Sequence, residues 1–370
     1  MAMPDSIARG SPAPPITPVV MSGGAGSRLW PVSVAARPKQ LHALTGDQTL
    51  LRRTVDRFAH APGLFGAPIV VCGAAHEALV REQFAGDPEP PRLILEPVGR
   101  NTAACAAVAA YWVAGSEGPD RLILLAPADH LVASPVAFAD AVRRAVPAAE
   151  AGDLVSLGVR PTHPETGYGY IRLGQPRGDV FEAAQFVEKP DRETAERYLA
   201  HGGYLWNGGY FLFRADRMIE EMERLAPEIA ARAREAVDRG LPIDGGGLRL
   251  DPAAFAAAPS DSVDYAIMEK AGRIAVAPLD AGWSDVGSWS SVWDNANKDE
   301  DGNVLLGDVL AIDAQGCFVR SDGPMVAVAG VGDLIVVATA DAVLVVPRHG
   351  AQKVKNVVAR LVAMKRVELL

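Results

Sequence analysis

Short, wholly apolar runs alternate with longer amphipathic segments between Pro18 and Trp293, and this alternation constrains the fold more than any other feature. The runs are continuous rather than alternately polar, which is typical of strands covered by helices on both faces. Between two of them lies Asn101–Ala114, an alanine-rich segment with the apolar spacing of a helix. Strand and helix in alternation predict an α/β fold with a doubly wound, mostly parallel sheet. The predicted strands are Val19–Met21, Ile69–Cys72, Leu93–Leu95, Leu122–Leu125 and Leu154–Val159, extended by Phe181–Glu188 and Gly209–Arg214.

The texture of the chain changes after Asn295. Residues 298–303 form a polar turn region whose D-x-D-G pattern lacks the other ligands of a calcium-binding loop, so we predict a plain linker. Five short apolar segments follow between Val309 and Val346, and a helix is predicted from Gln352 to Met364. The sequence therefore predicts three parts: a flexible N-terminal lead (1–16), a large α/β domain (17–297) and a small β-rich C-terminal domain with a terminal helix (298–370).

Charge and composition exclude several classes of partner. The 370-residue chain has a formal net charge of −9, which argues against nucleic acid, because phosphate backbones attract basic surfaces. No apolar run reaches the ~18–20 residues of a membrane-spanning helix. The first residues lack the basic start and apolar core of a signal peptide. Cys72, Cys105 and Cys317 are too widely spaced for a disulfide framework or a zinc site. We therefore expect a cytoplasmic protein with no membrane or nucleic-acid partner.

A Gly-rich segment, Ser22–Pro31, follows the first predicted strand directly. Gly23, Gly24 and Gly26 leave backbone N–H groups free to point at a phosphate chain, and the following Ser27 and Arg28 add side-chain donors. A Walker loop would need Lys-Ser/Thr after the last glycine, and a dinucleotide fingerprint would need a further glycine at position 29. From the glycines alone, an ordinary strand-to-helix turn remains an equal alternative.

The next element, Arg37-Pro38-Lys39-Gln40, places a lysine some ten residues after Arg28. Together the two segments read G-G-x-G-x-R-L-x-P…P-K, which resembles the signature of sugar-1-phosphate nucleotidyltransferases. Trp30 and Gln40 resemble the mannose-1-phosphate guanylyltransferase branch in particular. The resemblance implies the Rossmann-like nucleotidyltransferase fold, and it implies that the loop, Arg28 and Lys39 bind the triphosphate of GTP.

The resemblance continues in the segment Leu95–Thr102, which in this family borders the guanine and the ribose. It implies that Glu96, Asn101 and Thr102 contact the nucleotide. The segment also lies between a strand and the start of a helix, so a helix-capping role for Asn101 stays an open alternative.

Two aspartates are candidate metal ligands. Asp129 follows the apolar strand Leu122–Leu125, and the carboxyl end of a central parallel strand is where ligands bind in open α/β sheets. Its carboxylate is a hard oxygen ligand suited to Mg²⁺, although a turn or capping role stays open. Asp285 lies far away in Gly282–Trp289, and only the resemblance, through the pattern W-x-D-x-G-x-W, brings it to the same magnesium ion. The neighbouring His130 is expected to support its loop by hydrogen bonds.

Three further short motifs resemble the family's sugar-binding segments. They imply that Gly169 and Tyr170 form a sugar-binding loop, that Glu188 accepts hydrogen bonds from sugar hydroxyls, that Lys189 pairs with the sugar phosphate, and that Asn207 completes the set. Successive residues of a strand face opposite sides of the sheet. Glu188 and Lys189 can therefore reach one pocket only if their strand ends there.

The resemblance as a whole implies a Mg²⁺-dependent enzyme that transfers GMP from GTP to mannose 1-phosphate by in-line attack, with Asp129 and Asp285 holding the metal. The same chemistry with another nucleotide or hexose 1-phosphate, and a non-catalytic regulator that binds sugar nucleotides, remain alternatives. The last stretch has one histidine, His349, so no metal-binding isomerase site is predicted. The apolar C-terminal strands must be buried on the large domain or on a second subunit, which leaves a homo-oligomer such as a dimer open.

Overall fold

The computed structural model describes residues 15–24 and 26–370. Most of the predicted N-terminal lead, residues 1–14, and Ala25 of the Gly-rich loop lie outside the described residues. Ile16, which the prediction assigns to the lead, is buried and forms a β-bridge with Phe65.

The first part of the chain alternates strands and helices. The strands are β1 (Thr17–Ser22), β2 (Ile69–Gly73), β3 (Arg92–Glu96), β4 (Leu122–Pro127), β5 (Leu131–Val132), β6 (Leu154–Val159), β7 (Tyr170–Arg177), β8 (Val180–Val187), β9 (Tyr204–Arg214), β10 (Leu241–Ile243), β11 (Gly247–Arg249), β12 (Ile274–Leu279) and β13 (Trp283–Ser284). The helices are α1 (Leu50–Ala59), α2 (Glu77–Gln83), α3 (Asn101–Glu117), α4 (Pro135–Glu150), α5 (Arg192–His201), α6 (Ala215–Leu225), α7 (Pro227–Asp238), α8 (Pro252–Ala256) and α9 (Trp289–Asn295). A π-helical turn, Asp264–Met268, precedes β12.

Eleven strands form one sheet in the order β10-β11-β3-β2-β1-β4-β9-β6-β12-β8-β7. Most strands run in the same direction, and β8, β9 and β10 run against them. The predicted doubly wound, mostly parallel sheet is therefore confirmed, and the two predicted extension strands join it as antiparallel members. Strands β5 and β13 form a separate small pair.

The continuous apolar strands are buried on both faces, as their composition predicts. Val19 and Ile123 face a core formed with α3, α6 and α7, whereas their neighbours Val20 and Leu124 face a second core formed with α1 and α4. Helix α3 is lined with alanines that are fully buried, and their small side chains let it lie close to the sheet and to α6 and α7 at once.

The last part of the chain is a small β-domain closed by a helix. Its strands are β14 (Val304–Leu306), β15 (Val309–Ile312), β16 (Phe318–Ser321), β17 (Val326–Ala329), β18 (Leu334–Ala338) and β19 (Val343–Pro347), followed by a 3₁₀ segment (Arg348–Lys353), α10 (Val354–Ala363) and a 3₁₀ turn (Val367–Leu369). Strands β14, β16 and β18 stack in parallel, and β15 pairs in parallel with β17. Successive turns of the chain therefore stack on one another, as in a β-helix.

This β-domain shares a core with the first part of the chain. The ring of Phe318 packs against Trp289 with 5.3 Å between ring centroids, and Ile335 and Val337 join the same buried cluster as Leu29. The two parts are thus joined by packed side chains. Among the helices of the described residues, none has the length and apolarity needed to cross a membrane.

Candidate active site

A cavity of about 640 Å³ opens at the carboxyl ends of β1 and β4. Its position follows from the parallel centre of the sheet, where loops after neighbouring strands leave a crevice. Many of the residues predicted from the sequence line it: Gly23, Gly24, Glu96, Asn101, Thr102, Asp129, Gly169, Glu188, Asn207 and Asp285. Motifs that are spread over most of the chain therefore meet in one place.

Lys39 joins the two predicted metal ligands. The residue is only 4% exposed, and Nζ donates to Oδ2 of Asp129 at 2.9 Å and to the backbone oxygen of Asp285 at 2.5 Å. The Gly-rich loop passes so close that a Cβ on Gly26 would lie 2.4 Å from Cβ of Lys39. Gly26 also has a φ of 59°, so a larger residue would be strained and would displace the lysine.

The pKa values of Asp129 and His130 are both lowered, but for different reasons. Burial alone would raise the pKa of Asp129, but the charge and hydrogen bond of Lys39, together with the nearby His130 and a backbone hydrogen bond, hold that pKa below its ordinary value. Burial lowers the pKa of His130, so its ring is neutral at neutral pH. His130 Nδ1 accepts a hydrogen bond from Trp283 Nε1 at 3.2 Å, which agrees with the predicted loop-supporting role.

The carboxylate of Asp285 is oriented by two donors. Oδ1 accepts hydrogen bonds from the Tyr168 hydroxyl at 2.6 Å and from the backbone N–H of Gly287 at 3.0 Å. Burial and the Asp285 charge raise the pKa of Tyr168, so the phenol remains a donor. Tyr168 was not predicted as a site residue, although it lies in the same T-G-Y-G-Y loop as Tyr170, which was.

Tyr170 is a correction to the predicted sugar site. It is the first residue of β7 and fully buried, its hydroxyl donates to the backbone oxygen of Glu165 at 3.0 Å, and its ring packs with Trp206 and Ala195. Tyr168, two residues earlier and outside the strand, lines the cavity instead. Residues two apart share a face of the sheet only when both lie in a strand. Strand β7 begins at Tyr170, so Tyr168 lies before it and is not held to the same face.

Strand β8 ends at Val187, and of the next two residues Glu188 lines the cavity, whereas Lys189 does not line it but pairs with Glu188. Lys189 has a φ of 49°, outside strand geometry, and its Nζ lies 2.6 Å from Oε1 of Glu188. The Glu188 side chain is 7% exposed, and Oε2 has no hydrogen-bond partner among the described residues. Partial burial opposes the lysine charge, but the Glu188 carboxylate more than offsets it and raises the pKa of Lys189. A Cβ on Gly169 would lie 2.5 Å from that oxygen, so a larger residue there would displace the Glu188 carboxylate.

Two other acidic side chains in the cavity are held out of water. Glu96 is 8% exposed, its Oε1 accepts no hydrogen bond from the described part of the chain, and burial raises its pKa to about 7. Asp264, on the π-helical turn, accepts from Asn207 Nδ2 at 2.7 Å, and burial together with the nearby Glu188 raises its pKa to about 6. Asp264 was not predicted, because no recognisable motif surrounds it.

The remaining predicted residues lie at the rim. Asn101 has a φ of 64°, and its Oδ1 accepts from the N–H of Thr102 at 2.8 Å, so it satisfies an amide of the first turn of α3. Thr102 Oγ1 accepts from the N–H of Val263 at 2.9 Å and ties α3 to the segment that carries Asp264. Ser27 and Arg28 are exposed on a short 3₁₀ turn. The Arg28 charge is near enough to Tyr168 to oppose, in part, the rise in the pKa of that tyrosine.

The donor set fits a divalent ion that needs few protein ligands. Asp129 and Asp285 both line the cavity, and Lys39 contacts both of them. Within residues 15–24 and 26–370, no group of three or more His, Cys, Asp or Glu side chains could form a complete metal cage. Two carboxylates, completed by water and phosphate oxygens, are the arrangement in which Mg²⁺ is commonly bound.

Comparisons with known proteins agree with this geometry. Residues 17–302 match the family described as Nucleotidyl transferase, and residues 307–361 match the MannoseP isomerase/GMP-like beta-helix domain. The chain is 46% identical over 95% of its length to Mannose-1-phosphate guanylyltransferase ManC of Salmonella typhimurium, and covers 74% of that protein. It is 46% identical over 95% of its length to Alginate biosynthesis protein AlgA of Pseudomonas aeruginosa, of which it covers 73%.

A solved structure supports the same assignment. The crystal structure of a mannose-1-phosphate geranyltransferase, so described, from Thermus thermophilus superposes with a TM-score of 0.80 at 36% identity. The match covers 94% of this chain and 98% of that one. Enzymes of the nucleotidyltransferase family generally use a divalent metal ion, for which the two aspartates are suited. The chain therefore belongs to the mannose-1-phosphate guanylyltransferases, a branch of the nucleotidyltransferase family, and itself carries a C-terminal β-helix domain.

Proposed function

We propose that this protein transfers GMP from GTP to α-D-mannose 1-phosphate and releases GDP-mannose and pyrophosphate. One observation carries the proposal: a single cavity is lined by the Gly-rich loop, by Asp129, which pairs with Lys39, and by Glu188, which pairs with a second cation, Lys189. Two anions can therefore meet in it, each beside its own cation. The family membership given above supports the same pair of substrates.

The reaction needs no covalent intermediate with the protein. A phosphate oxygen of mannose 1-phosphate attacks the α-phosphorus of GTP, the bond from that phosphorus to the bridging oxygen of the β-phosphate breaks, and pyrophosphate leaves. Because both reactants are anions, position and charge are what the protein must supply. We assign the loop amides of Gly23, Gly24 and Gly26, with Arg28 and Lys39, to the triphosphate. Lys189 is assigned to the phosphate of the sugar.

The divalent ion of this family is proposed to be Mg²⁺ here, with Asp129 and Asp285 as its protein ligands. Bound there, it would draw negative charge from phosphate oxygens. The chain itself sets the spacing of the two ligands, because Lys39 Nζ contacts Asp129 at 2.9 Å and the Asp285 backbone at 2.5 Å. Tyr168 fixes the orientation of the Asp285 carboxylate through its 2.6 Å hydrogen bond.

The buried carboxylates support the choice of base and sugar. Guanine presents two neighbouring N–H groups, and a carboxylate accepts from both. Glu96 has a buried oxygen without a partner among the described residues and lies beside Asn101 and Thr102, at the predicted base-binding segment. Elsewhere in the lining of the cavity, the free oxygen of Glu188 and the carboxylate of Asp264 are suited to accept hydrogen bonds from sugar hydroxyls. Gly169 and Asn207 are assigned to the same sugar subsite.

The cellular setting follows from the same chemistry. We propose a cytoplasmic enzyme that supplies GDP-mannose as a polysaccharide precursor. Its three cysteines are all buried and free, which suits a reducing compartment. The predicted homodimer stays a prediction. The β-domain leaves Leu310, Ile312, Val343 and Val345 exposed, and light scattering on the purified chain measures whether a second copy covers them.

The decisive experiment measures pyrophosphate release for each nucleoside triphosphate paired with each hexose 1-phosphate, with Mg²⁺ present. We expect GTP with mannose 1-phosphate to give the highest kcat/KM. The Asp129→Asn protein, purified in parallel, controls for contaminating activity. A higher kcat/KM for another pair would change the assigned substrates. A folded protein that binds GDP-mannose but releases pyrophosphate from no pair would favour the regulator instead.

A further inference from the structure

The chain that follows β19 packs against the turn that carries Arg28. Helix α10 contacts the 3₁₀ turn Ser27–Leu29, and Val354, Val357, Val358 and Leu361 belong to the same apolar cluster as Leu29 and Trp30. We call residues 354–370 the capping segment. Its contacts are thus made to the signature loop, at a distance in sequence of more than 300 residues.

Trp30 links the capping segment to the loops of the active site. It is 6% exposed, and its Nε1 donates to the backbone oxygen of Leu369 at 2.7 Å. Its own backbone oxygen accepts from Trp289 Nε1 at 2.9 Å. Trp30 lies two residues after Arg28, and Trp289 lies four residues after Asp285. One residue therefore connects the loop assigned to the triphosphate, the strand-turn assigned to the metal, and the capping segment.

The exposure of the capping segment shows where it is held. Residues 362–368 are exposed, whereas Leu369 is half-buried against Trp30. Ordering this exposed stretch so that the Leu369 carbonyl accepts a hydrogen bond from the buried Trp30 indole costs conformational entropy. That cost is offset by a hydrogen bond of ordinary geometry and by apolar contacts of α10, both directed at the signature loop.

We propose that the capping segment positions the triphosphate-binding loop, with Trp30 as the positioning residue. This proposal rests on the function proposed above. It gives the C-terminal region a part in nucleotide binding, in addition to any part in assembly. The bond from Trp30 to Leu369 fixes the indole, the indole fixes the backbone between Arg28 and Pro31, and the Trp289 bond holds that backbone against the Asp285 segment.

The test separates positioning from plain stability. Trp30→Phe keeps the aromatic ring and removes the N–H donor. We expect the Kd for GTP, measured by equilibrium titration without mannose 1-phosphate, to rise about fivefold, the value of one ordinary hydrogen bond. The KM for mannose 1-phosphate should stay unchanged, and hydrogen exchange of the peptide covering residues 26–33 should accelerate. A chain ending at Met364, which loses Leu369 but keeps α10, should show the same changes.

Trp293→Phe is the matched control, because Trp293 Nε1 also donates to a backbone oxygen, that of Gly302 at 3.0 Å, away from the loop. It should leave GTP binding and loop exchange unchanged. Because Trp30→Phe and the truncation remove one bond from its two ends, their effects should not add when combined. Additive effects, equal losses in the Trp293→Phe control, or unchanged loop exchange would overturn the inference. A wild-type protein that binds no nucleoside triphosphate would instead contradict the proposed function.

Discussion

The two sides of the active-site cavity satisfy their polar groups in opposite ways. On the side formed by Lys39, Asp129 and Asp285, which we call the charged edge, each side chain is held by contacts within the protein, as in the 2.9 Å contact of Lys39 with Asp129 and the 2.6 Å hydrogen bond of Tyr168 to Asp285. On the far walls, Glu96 and Glu188 keep buried oxygens that accept nothing from the rest of the described chain. We call these the acceptor walls.

The difference shows what each side is prepared for. Buried polar atoms are nearly always paired, and those left unpaired often await a ligand. The charged edge is already organised in the free protein, so little rearrangement of its dipoles is needed when charge develops on the phosphates. The acceptor walls are completed only when donors of the substrates arrive. Changes at the charged edge should therefore lower turnover, and changes on the acceptor walls should lower affinity and selectivity.

The largest effect is expected at the charged edge. Asp129→Asn and Asp285→Asn should each lower kcat by about 10²-fold or more, because a metal ligand supplies several kcal/mol of transition-state stabilisation. Pyrophosphate release at saturating Mg²⁺ measures this, and circular dichroism checks the fold. Asp140→Asn is the control, since Asp140 is an exposed aspartate that pairs with Arg143 on α4. Near-normal turnover in either active-site variant would remove that residue from the metal site.

The next largest effect divides the cations between the substrates. Lys189→Ala should raise the KM for mannose 1-phosphate about tenfold or more, and Arg28→Ala should weaken GTP binding by a similar factor, since each loses a charge-assisted hydrogen bond. Titration of GTP against both proteins is the measurement. An equal loss of GTP affinity in the two variants would contradict the assignment of separate anions.

On the acceptor walls, the pH dependence of GTP binding tests Glu96. Burial raises its pKa to about 7, so the carboxylate that would accept from guanine is mostly protonated at pH 6 and mostly ionised at pH 8. GTP affinity of the wild type should therefore increase about tenfold over this range, beyond any change due to GTP itself. Glu96→Gln should lose this increment, whereas Glu188→Gln, on the sugar wall, should retain it. A wild type and Glu96→Gln with parallel pH profiles would exclude Glu96 from base recognition.

The smallest effects are expected at the two tyrosines of one loop. Tyr168→Phe removes the hydrogen bond to Asp285 and should lower kcat a few-fold, consistent with one neutral donor to a carboxylate. Tyr170→Phe removes the bond to the Glu165 backbone and leaves the cavity lining intact, so the KM for mannose 1-phosphate should be unchanged and the melting temperature slightly lower. A raised KM in Tyr170→Phe would restore that residue to the sugar site.

Much of the fold could be predicted from local pattern. Continuous apolar runs identify strands such as β6, Leu154–Val159, because a strand covered on both faces needs apolar residues at every position. In the β-domain the same patterns identify most strands, yet the parallel stacking of β14, β16 and β18 depends on which turns of the chain lie over one another. No sequence repeat marks that arrangement. The division of the chain at residue 297 stays a prediction.

The site divides in the same way between sequence and tertiary structure. The glycines, the proline-positioned lysine and the position of Asp129 after a strand suggested Lys39 and Asp129 locally, whereas Asp285 was selected only through the resemblance. The sequence could not decide between Tyr168 and Tyr170, since that choice depends on where β7 begins, nor could it find Asp264, which has no motif around it. Residue types and their order are fixed by the chain, whereas burial, unpaired oxygens and contacts such as Trp30 with Leu369 exist only once distant segments pack together.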